Sequence, residues 1–250
     1  MLVTGELRAA WWELFEPDTP NDVILRAVLV GHCPGMAVVD CLEDPTEILV
    51  RAHGGKAFAN RGATEAFLHA AIDQARKLGW TALADTGIPE SVRSHWRTVD
   101  RVRFEDCDLE SERLQSLRDR HPSGFEVGLL DREVLSRCHH AKRELLKGYG
   151  DRLDEYFGLG YGVCLLHEDN IACEAYTSVI AAHRMEAVVG TLEAFRGRGL
   201  ASCAAATLAE ESRRRGHTLT WNCLADNVGS LKVAKRLGFR SERPYREIYY

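Results

Sequence analysis

Hydrophobic and polar positions alternate regularly in the second half of the chain and predict a succession of strands and helices. Short apolar runs typical of strands occupy residues 125–130, 161–166, 171–180, 185–192, 218–223 and 245–250. Amphipathic helices, with apolar side chains three and four residues apart, are predicted at residues 131–146, 153–157, 200–215 and 228–237. With a hairpin turn at residues 167–170, the predicted order is β-α-α-β-β-β-α-β-α-β.

A change of composition near the middle of the chain marks the expected boundary between two lobes. The segment His121-Pro122-Ser123-Gly124 follows the highly charged residues 105–120. Domain boundaries commonly fall in such polar segments that contain Pro and Gly. We therefore expect a first lobe over residues 1–122 and a second lobe over residues 123–250.

The two halves also show a faint internal repeat. At a constant offset, five residues of the first half coincide with identical residues of the second: Arg61, Gly62, Arg76, Gly79 and Thr81 with Arg198, Gly199, Arg213, Gly216 and Thr218. In the first copy, however, Ala59 and Asn60 replace Arg196 and Gly197. We predict a duplication whose first copy is degenerate; the alternative is that any β-α-β unit with a short helix gives this spacing.

The composition is that of a globular protein and narrows the classes of partner. Hydrophobic residues make up 45% of the chain, charged residues 28%, and the net charge is −5. This acidic balance gives no reason to expect a nucleic-acid partner. The chain contains neither an apolar run of 18 residues nor a signal-peptide core near its first residue, so no membrane partner is expected.

The eight cysteines form no C-x-x-C pair and most lie in apolar runs, which favours reduced, buried thiols and a cytoplasmic location. The triplet Cys138-His139-His140 looks like part of a metal site. Adjacent helical residues face different directions, however, and no second ligand cluster follows at zinc-site spacing. We therefore expect no metal.

The segment Phe195-Arg196-Gly197-Arg198-Gly199-Leu200-Ala201 lies between a predicted strand and a predicted helix. Two glycines two residues apart let the backbone pass close to a large anion. The helix that begins near Leu200 directs its free N–H groups and the positive end of its dipole at the same point. The pattern predicts a diphosphate site, although it lacks the glycine spacing of P-loop and dinucleotide-binding motifs.

Two further segments make this turn more specific. Asn227-Val228-Gly229-Ser230 begins the next predicted helix, and Leu237-Gly238-Phe239 ends it. Together with the turn, they resemble the GNAT superfamily of acyl-CoA N-acyltransferases, whose acetyl-CoA motif reads (R/Q)-x-x-G-x-(G/A). The resemblance implies the GNAT fold, an α/β (α+β) architecture with a mixed central sheet flanked by helices, here as two tandem GNAT-like lobes.

Within the superfamily, the two-lobed chain resembles the acetyltransferases of the zwittermicin A resistance type. The segments that carry this looser likeness are Pro34-Gly35-Met36-Ala37-Val38-Val39-Asp40, Glu43-Asp44-Pro45, Gly124-Phe125-Glu126-Val127 and Trp221-Asn222-Cys223. The superfamily match covers residues 124–250, whereas the subfamily match extends over most of the chain.

The resemblance implies that an acetyl group passes from acetyl-CoA to a primary amine of a small molecule or peptide, by direct attack on the thioester. It places the cofactor against Thr191, Leu192, Arg196, Gly197, Arg198, Gly199, Leu200, Ala201, Asn227 and Ser230. A main-chain amide of Thr191 or Leu192 would stabilise the oxyanion, and the sequence does not choose between them.

Proton transfer requires further groups. Glu186, on the predicted strand before the turn, is the first choice as general base, ahead of Glu174, Tyr176 and His183. Many family members carry a tyrosine seven residues after the helix asparagine, but this chain has Ala234 there. The proton for the leaving thiolate would come from Ser230, Cys223 or Tyr245, or the thiolate would leave unaided.

Two other functions remain open at this point. The chain could be a non-catalytic module that binds acyl-CoA, or a scaffold protein with no CoA site. The first lobe, with Trp11, Trp12 and Trp96, would either form a wall of the acceptor cleft or mediate a homodimer. The acceptor amine is not encoded in any pattern of the sequence.

Overall fold

A computed structural model describes residues 1–80, 82–104, 107, 111–120, 122–168 and 170–250. Its strands are β1 Leu2–Thr4, β2 Met36–Val39, β3 Ile48–Arg51, β4 Lys56–Ala59, β5 Ala82–Ala84, β6 Arg97–Phe104, β7 Glu126–Leu129, β8 Gly162–His167, β9 Asn170–Ala181, β10 Arg184–Thr191, β11 Thr218–Leu224 and β12 Glu242–Tyr249. Its helices are α1 Asp22–Leu29, α2 Glu65–Lys77, α3 Glu90–Arg93, α4 Ser111–Asp119, α5 Arg132–Arg137, α6 His140–Tyr149, α7 Leu153–Leu159, α8 Leu200–Arg214 and α9 Val228–Leu237.

All these strands join one mixed sheet in the order β1-β2-β3-β4-β5-β12-β6-β11-β10-β9-β8-β7. The last strand, β12, lies between β5 and β6 and runs antiparallel to both. Strand β6 in turn pairs with β11. The strands of the two halves of the chain are therefore interleaved at the centre of the sheet and share its hydrogen bonds.

Two units of the sheet repeat the same connection. Strands β4 and β5 are parallel and joined through α2, and β10 and β11 are parallel and joined through α8. After each helix, a glycine in the left-handed region turns the chain back to the sheet: Gly79 with φ 73° and Gly216 with φ 73°. The internal repeat predicted from the sequence therefore falls on two β-α-β units of the same topology. One residue of the repeat, Thr81, lies outside the described residues.

Apolar side chains alternate between the two faces of the sheet because strand residues point to opposite sides in turn. Val102, Met185 and Trp221 pack with α4, α8 and α9 on one face. Phe58, Tyr176 and Val179 pack with α1, α5 and α6 on the other. A third cluster joins α2 and α3 to the strands of the first half. Both faces of the central sheet are therefore covered by helices.

The predicted helix over residues 131–146 is wrong in one respect: the structure has two helices, α5 and α6, separated at Cys138. Cys138 has an extended backbone (φ −66°, ψ 148°). The buried carboxylate of Glu174, on β9, accepts hydrogen bonds from the backbone N–H groups of His139, His140 and Ala141. A carboxylate at the positive end of a helix is favourable, and it gives the free amides of α6 a partner.

The other predicted elements of the second half are present, with bounds that shift by no more than three residues. Two predicted features include residues outside the described ones: the lobe boundary includes His121, and the hairpin turn includes Asp169. Six of the eight cysteines are buried and all are free thiols. Among the described residues, no helix combines the length and the hydropathy required to span a bilayer.

The capping role of Glu174 predicts a large loss of stability when its carboxylate is removed. Glu174→Ala should lower the free energy of unfolding by about 3 kcal/mol, because three backbone donors lose a charged acceptor. Urea titration followed by circular dichroism measures the change. Glu65→Ala, an exposed residue in the first turn of α2, is the control and should change little. A loss no larger than that of the control would contradict the capping role.

Candidate active site

A cleft opens where β10 and β11 separate. The two strands pair in parallel only over Arg184–Glu186 and Thr218–Thr220. A register irregularity follows between Glu186 and Ala187 in the pairing of β10 with β9, and from Trp221 onward β11 pairs with β6, which lies on its opposite edge. The space left between the strands is part of a cavity of about 330 Å³.

The two halves of the chain both line this cavity. The second half contributes residues of α6, β9, β10 and β11 and the first turn of α9: His140, Glu144, Tyr176, Ser178, Glu186, Ala187, Val188, Val189, Trp221, Asn222, Cys223, Leu224, Asn227 and Ser230. The first half contributes Ile24, Gly54, Lys56 and Arg101. The cleft is thus formed by both halves together.

A row of polar side chains crosses the sheet beneath this cleft. By the alternation of strand residues, its members share the face of the sheet that is covered by α1 and α6. In sheet order they are Lys56 on β4, Glu247 on β12, Arg101 on β6, Asn222 on β11, Glu186 on β10 and Tyr176 on β9. Polar side chains from six different strands are thereby brought to one site, although they are distant in the sequence.

Glu186 is the most deeply buried carboxylate on the wall of the cleft, at 6% exposure. Its Oε2 accepts hydrogen bonds from Thr220 Oγ1 at 2.6 Å and from Asn222 Nδ2 at 2.9 Å. Burial raises the pKa of Glu186 above its ordinary value, and the hydrogen bonds and the nearby cations Lys56 and Arg101 only partly offset this. A buried carboxyl group with a raised pKa is suited to take up a proton near neutral pH.

Two cations of the first half lie on the same face and share one carboxylate. Glu247 Oε1 lies 3.0 Å from Lys56 Nζ and 3.3 Å from Arg101 Nε. These cations lower the pKa of Glu247, against the opposing effect of its burial. Glu247 is only 1% exposed, so it is held as a charged group by its two partners.

Tyr245 lies beneath Arg101 and is not on the wall of the cleft. Its hydroxyl accepts hydrogen bonds from Arg101 Nε at 2.8 Å and Asn21 Nδ2 at 2.9 Å. Burial raises the pKa of Tyr245. The contribution of Tyr245 to the cleft is therefore to position Arg101, and the expectation that it protonates a leaving thiolate has no support in this placement.

His140 is a cleft residue that the sequence reasoning considered only as a metal ligand. The break before α6 places it at the first position of that helix, where its Nδ1 lies 2.9 Å from the Tyr176 hydroxyl. A Cβ on Gly190 would lie 3.3 Å from His140 Cβ, so the glycine allows α6 to approach β10 closely. The sequence predicts one continuous helix over residues 131–146, and such a helix does not indicate that His140 begins a helix and lines the cleft.

The remaining candidates for proton transfer are placed differently. Glu174 and its hydrogen bonds cap α6, as described above. His183 lies in the turn at the far end of β10 with φ 61°, away from the cleft lining. Lys56 and Arg101 were missed entirely, because only the strand order of the sheet, in which β4, β5, β12 and β6 lie side by side, brings them to the cavity of Glu186.

The glycine turn before α8 is open, and its amides have no partner among the described residues. Gly197 and Gly199 both have positive φ, 79° and 82°, and no atom lies within 4 Å of a Cβ built on either. The amides of residues 197–201 make no hydrogen bond within the described part of the chain. Arg196 Nε donates to Thr191 O, and the Arg198 guanidinium lies over Phe195. The turn offers a concave group of N–H donors at a helix start.

The amides of β10 divide between the neighbouring strand and the cleft. Leu192 N donates to Ala172 O of β9 at 3.0 Å, so this amide is already used. Hydrogen-bonded and non-hydrogen-bonded pairs alternate along an antiparallel ladder. From the register, the amides of Thr191 and Val189 therefore point away from β9, on the side where β11 has separated. The sequence offered the amides of Thr191 and Leu192 for the oxyanion. Of these two, only the amide of Thr191 points toward the cleft, and the amide of Val189 points the same way.

The start of α9 is fixed by its own side chains. Asn227 Oδ1 accepts the Ser230 backbone N–H at 3.0 Å, and Ser230 Oγ accepts Trp221 Nε1–H at 3.0 Å. Burial raises the pKa of the Cys223 thiol on the neighbouring strand. Ala234 is fully buried among α8 and β11. Ala234, which stands where many family members carry a tyrosine, is therefore part of the hydrophobic core in this chain.

The corresponding turn of the first half is closed. Asn60 donates from Nδ2 to Thr46 O and accepts from Ile48 N, so it joins the turn to β3. The carboxylate of Glu47 accepts the backbone N–H of Thr64 at the start of α2. The place where an anion would bind is therefore taken by the protein's own groups. No group of three metal-ligating side chains occurs among the described residues.

Comparison with known proteins agrees with this architecture. The family model described as GNAT acetyltransferase matches residues 13–248. The chain belongs to the GNAT acetyltransferase family. A curated member, the uncharacterized N-acetyltransferase YdfB of Bacillus subtilis, is 27% identical over 129 residues, which are 52% of this chain and 49% of that protein. The match thus spans about half the length of that relative.

Solved structures of GNAT proteins share the fold over almost the whole chain. A GCN5-related N-acetyltransferase-like protein from Streptococcus suis has a TM-score of 0.78 at 21% identity and covers 97% of this chain and 98% of its own. A tandem GNAT protein from the clavulanic acid biosynthesis pathway has a TM-score of 0.56 at 15% identity, covering 100% and 97%. The GNAT fold predicted from the sequence is confirmed.

The raised pKa of Glu186 predicts how its replacement changes stability with pH. A carboxyl group with a raised pKa stabilises the fold below its unfolded pKa of about 4.3, and this contribution is lost as the pH rises through the folded pKa. Glu186→Gln should therefore gain stability relative to the wild type as the pH is raised from 4 to 8. Urea unfolding at a series of pH values measures this difference. Glu144→Gln, in the same cleft, is the matched control; a difference that stays flat with pH would contradict the assignment.

Proposed function

We propose that this GNAT protein is an N-acetyltransferase that uses acetyl-CoA and acetylates a primary amine of a small molecule or peptide. The observation that carries the proposal is the combination of one open turn of free amides with a buried carboxylate in the adjoining cleft. Acetyl-CoA would supply the activated acyl group, and the amine would attack its thioester directly. The residues of the chain then have three tasks.

The first task is to bind the diphosphate. The amides of residues 197–201 and the positive end of the α8 dipole favour an anion at this turn. Arg196 and Arg198 lie beside it and add positive charge. At the other side of the cleft mouth, Asn227 and Ser230 at the start of α9 would contact the arm of the cofactor. The backbone of the turn supplies most of this site.

The second task is to stabilise the oxyanion that develops on the thioester carbonyl. The amides of Thr191 and Val189 are the donors that the separation of β10 and β11 leaves free. Donors that are fixed before the reaction act most strongly in a site with little water. We assign the oxyanion site to this part of β10.

The third task is proton transfer. The ammonium first loses a proton to Glu186, and the neutral amine then attacks the thioester carbon. As the C–N bond forms the C–S bond breaks, the thiolate of CoA leaves, and the second proton of the nitrogen passes to the Ser230 oxygen as the Ser230 hydroxyl gives its own proton to the thiolate. Glu186 is hydrogen-bonded by Thr220 and Asn222, so its carboxylate is held in place. The Ser230 hydroxyl accepts from Trp221 and keeps its own proton to donate to the thiolate. The thiolate could also leave unaided, because thiols have a pKa of about 8.5.

The lobes have unequal roles in this proposal. We assign the cofactor site to the lobe at residues 123–250, because only its turn is open. The lobe at residues 1–122 supplies Lys56 and Arg101 to the acceptor side of the cleft. Its own turn is closed by Asn60 and Glu47, which favours one acetyl-CoA per chain.

The turn can be tested by adding charge to it. Gly199→Glu should abolish CoA binding in calorimetric titration, because a carboxylate beside the free amides repels the diphosphate and competes for its donors. Gly216→Glu is the matched control: φ is 73° against 82°, and its Cβ also meets open space, but it lies at the opposite end of α8. If both variants bind CoA equally well, the diphosphate site is not at this turn.

The base can be tested by an isosteric change. Glu186→Gln should lower kcat by about 10²- to 10⁴-fold with an amine acceptor, while the dissociation constant of CoA stays unchanged. Glu144→Gln, a carboxylate of the same cleft nearer to solvent, should keep most of the activity. A wild-type protein that binds acetyl-CoA but transfers nothing to any amine would instead favour a non-catalytic acyl-CoA-binding module.

A further inference from the structure

The acceptor side of the cleft carries more fixed positive charge than its nearest carboxylate neutralises. Lys56 and Arg101 both line the cavity, and both contact the same oxygen of Glu247. Burying two cations against one anion is costly unless a further anion completes the group. Glu186 lies in the same cavity, but within the described part of the chain it makes no ion pair with either cation, and its hydrogen bonds come from Thr220 and Asn222.

Arg101 is oriented to receive such an anion. Its Nε donates to the Tyr245 hydroxyl and approaches Glu247, which fixes the plane of the guanidinium from one side. Within the described part of the chain, its hydrogen bond is made by Nε, and neither terminal nitrogen makes one. The Arg101 side chain is 13% exposed and that of Lys56 is 23% exposed, so both reach the cavity while remaining largely shielded from solvent. A shielded guanidinium with free terminal N–H groups matches a carboxylate or a phosphate in a bidentate arrangement.

We propose that the acceptor is an amine that also carries an anionic group, a carboxylate in the first instance, and that Arg101 and Lys56 bind this group while Glu186 faces the amine. The inference rests on the proposed function, since it names the substrate class of the same cleft. Two cations, Lys56 and Arg101, then balance Glu247 and the anion of the acceptor. A positive ammonium end meets Glu186, and the negative end meets the two cations.

Other occupants fit the polar row less well. A purely cationic polyamine would place its second charge against Lys56 and Arg101, and a neutral amine would leave Arg101 without an anion. Glu144 also lines the cavity, but it is engaged by Arg143. Within the described part of the chain, neither Lys56 nor Arg101 makes an ion pair with Glu144.

The substrate class can be tested with matched acceptor pairs. The panel consists of free amino acids, the corresponding amino acid amides, and phosphorylated amines with their dephosphorylated forms, assayed by release of the CoA thiol. Free acids should exceed their amides in kcat/KM by about ten- to hundredfold, the effect of one charged hydrogen-bonded pair. A preference for the phosphorylated amines would assign the anion as a phosphate. Equal rates for acids and amides, together with equal rates for phosphorylated and dephosphorylated amines, would overturn the proposal.

Variants of Lys56 and Arg101 test whether these two side chains cause the preference for free acids over amides. Arg101→Met and, separately, Lys56→Met should bring the ratio of kcat/KM for acid over amide toward one, mainly through KM. Arg103→Met is the matched control, since Arg103 is on the same strand and the same face but lines a neighbouring cavity. Arg101→Lys should restore part of the ratio, which a purely structural role of Arg101 would not predict. Thermal unfolding of each variant shows whether the fold is retained.

A binding measurement separates this inference from the proposed function. Crystals of the protein with CoA can be soaked in bromide, whose anomalous signal locates a bound anion. A bromide between Lys56 and Arg101 that is absent in Arg101→Met supports the anion site even if no amine in the panel is acetylated. Absence of bromide there in the wild type, with CoA bound, would overturn the inference while leaving the acetyl-CoA site intact.

Discussion

The central constraint of this structure is that β11 pairs with β10 and with β6 over different stretches, on its two opposite edges. Up to Thr220, β11 is paired with β10, and from Trp221 onward its hydrogen bonds go to β6. Because β10 loses its partner at that point, its outward amides are left without a strand and a cleft opens beside them. On the other side of β11, β6 pairs with β12, whose far edge is held by β5. Strands of the first half thus continue the sheet beside the cleft, and Lys56 and Arg101 reach the cavity from them.

The polar row across the sheet follows from the same pairing. Each of its members occupies an inward position on its own strand, where an apolar residue would normally stand. Such positions are tolerated only because the groups satisfy one another: Glu247 with Lys56 and Arg101, and Glu186 with Thr220 and Asn222. Burial raises the pKa of Glu186, and among the described residues no group accepts a hydrogen bond from the terminal nitrogens of Arg101. The same buried polar groups therefore lower the stability of the fold and give the cleft its charged side chains.

The sequence allowed much of the second half to be predicted, because its signals are local. The strand, glycine turn and helix around Gly199 depend on neighbouring residues and on positive φ angles that glycine adopts freely. The break between α5 and α6 was not predictable from periodicity, because the capping group, Glu174, lies more than 30 residues away. Lys56 and Arg101 were missed for the same reason: strand order brings them to Glu186, and strand order is not written in local patterns.

The two β-α-β units share one connection and differ in the turn before the helix. In the second unit, Gly197 and Gly199 hold the turn open, and no described residue pairs with their amides. In the first, Asn60 hydrogen-bonds to the neighbouring strand, and Glu47 takes an amide at the start of α2. These contacts stabilise the first unit at the place where the second leaves donors unsatisfied. The first unit is thereby freed to contribute side chains rather than a turn, and Lys56, at the start of its first strand, is the residue it brings to the shared cleft.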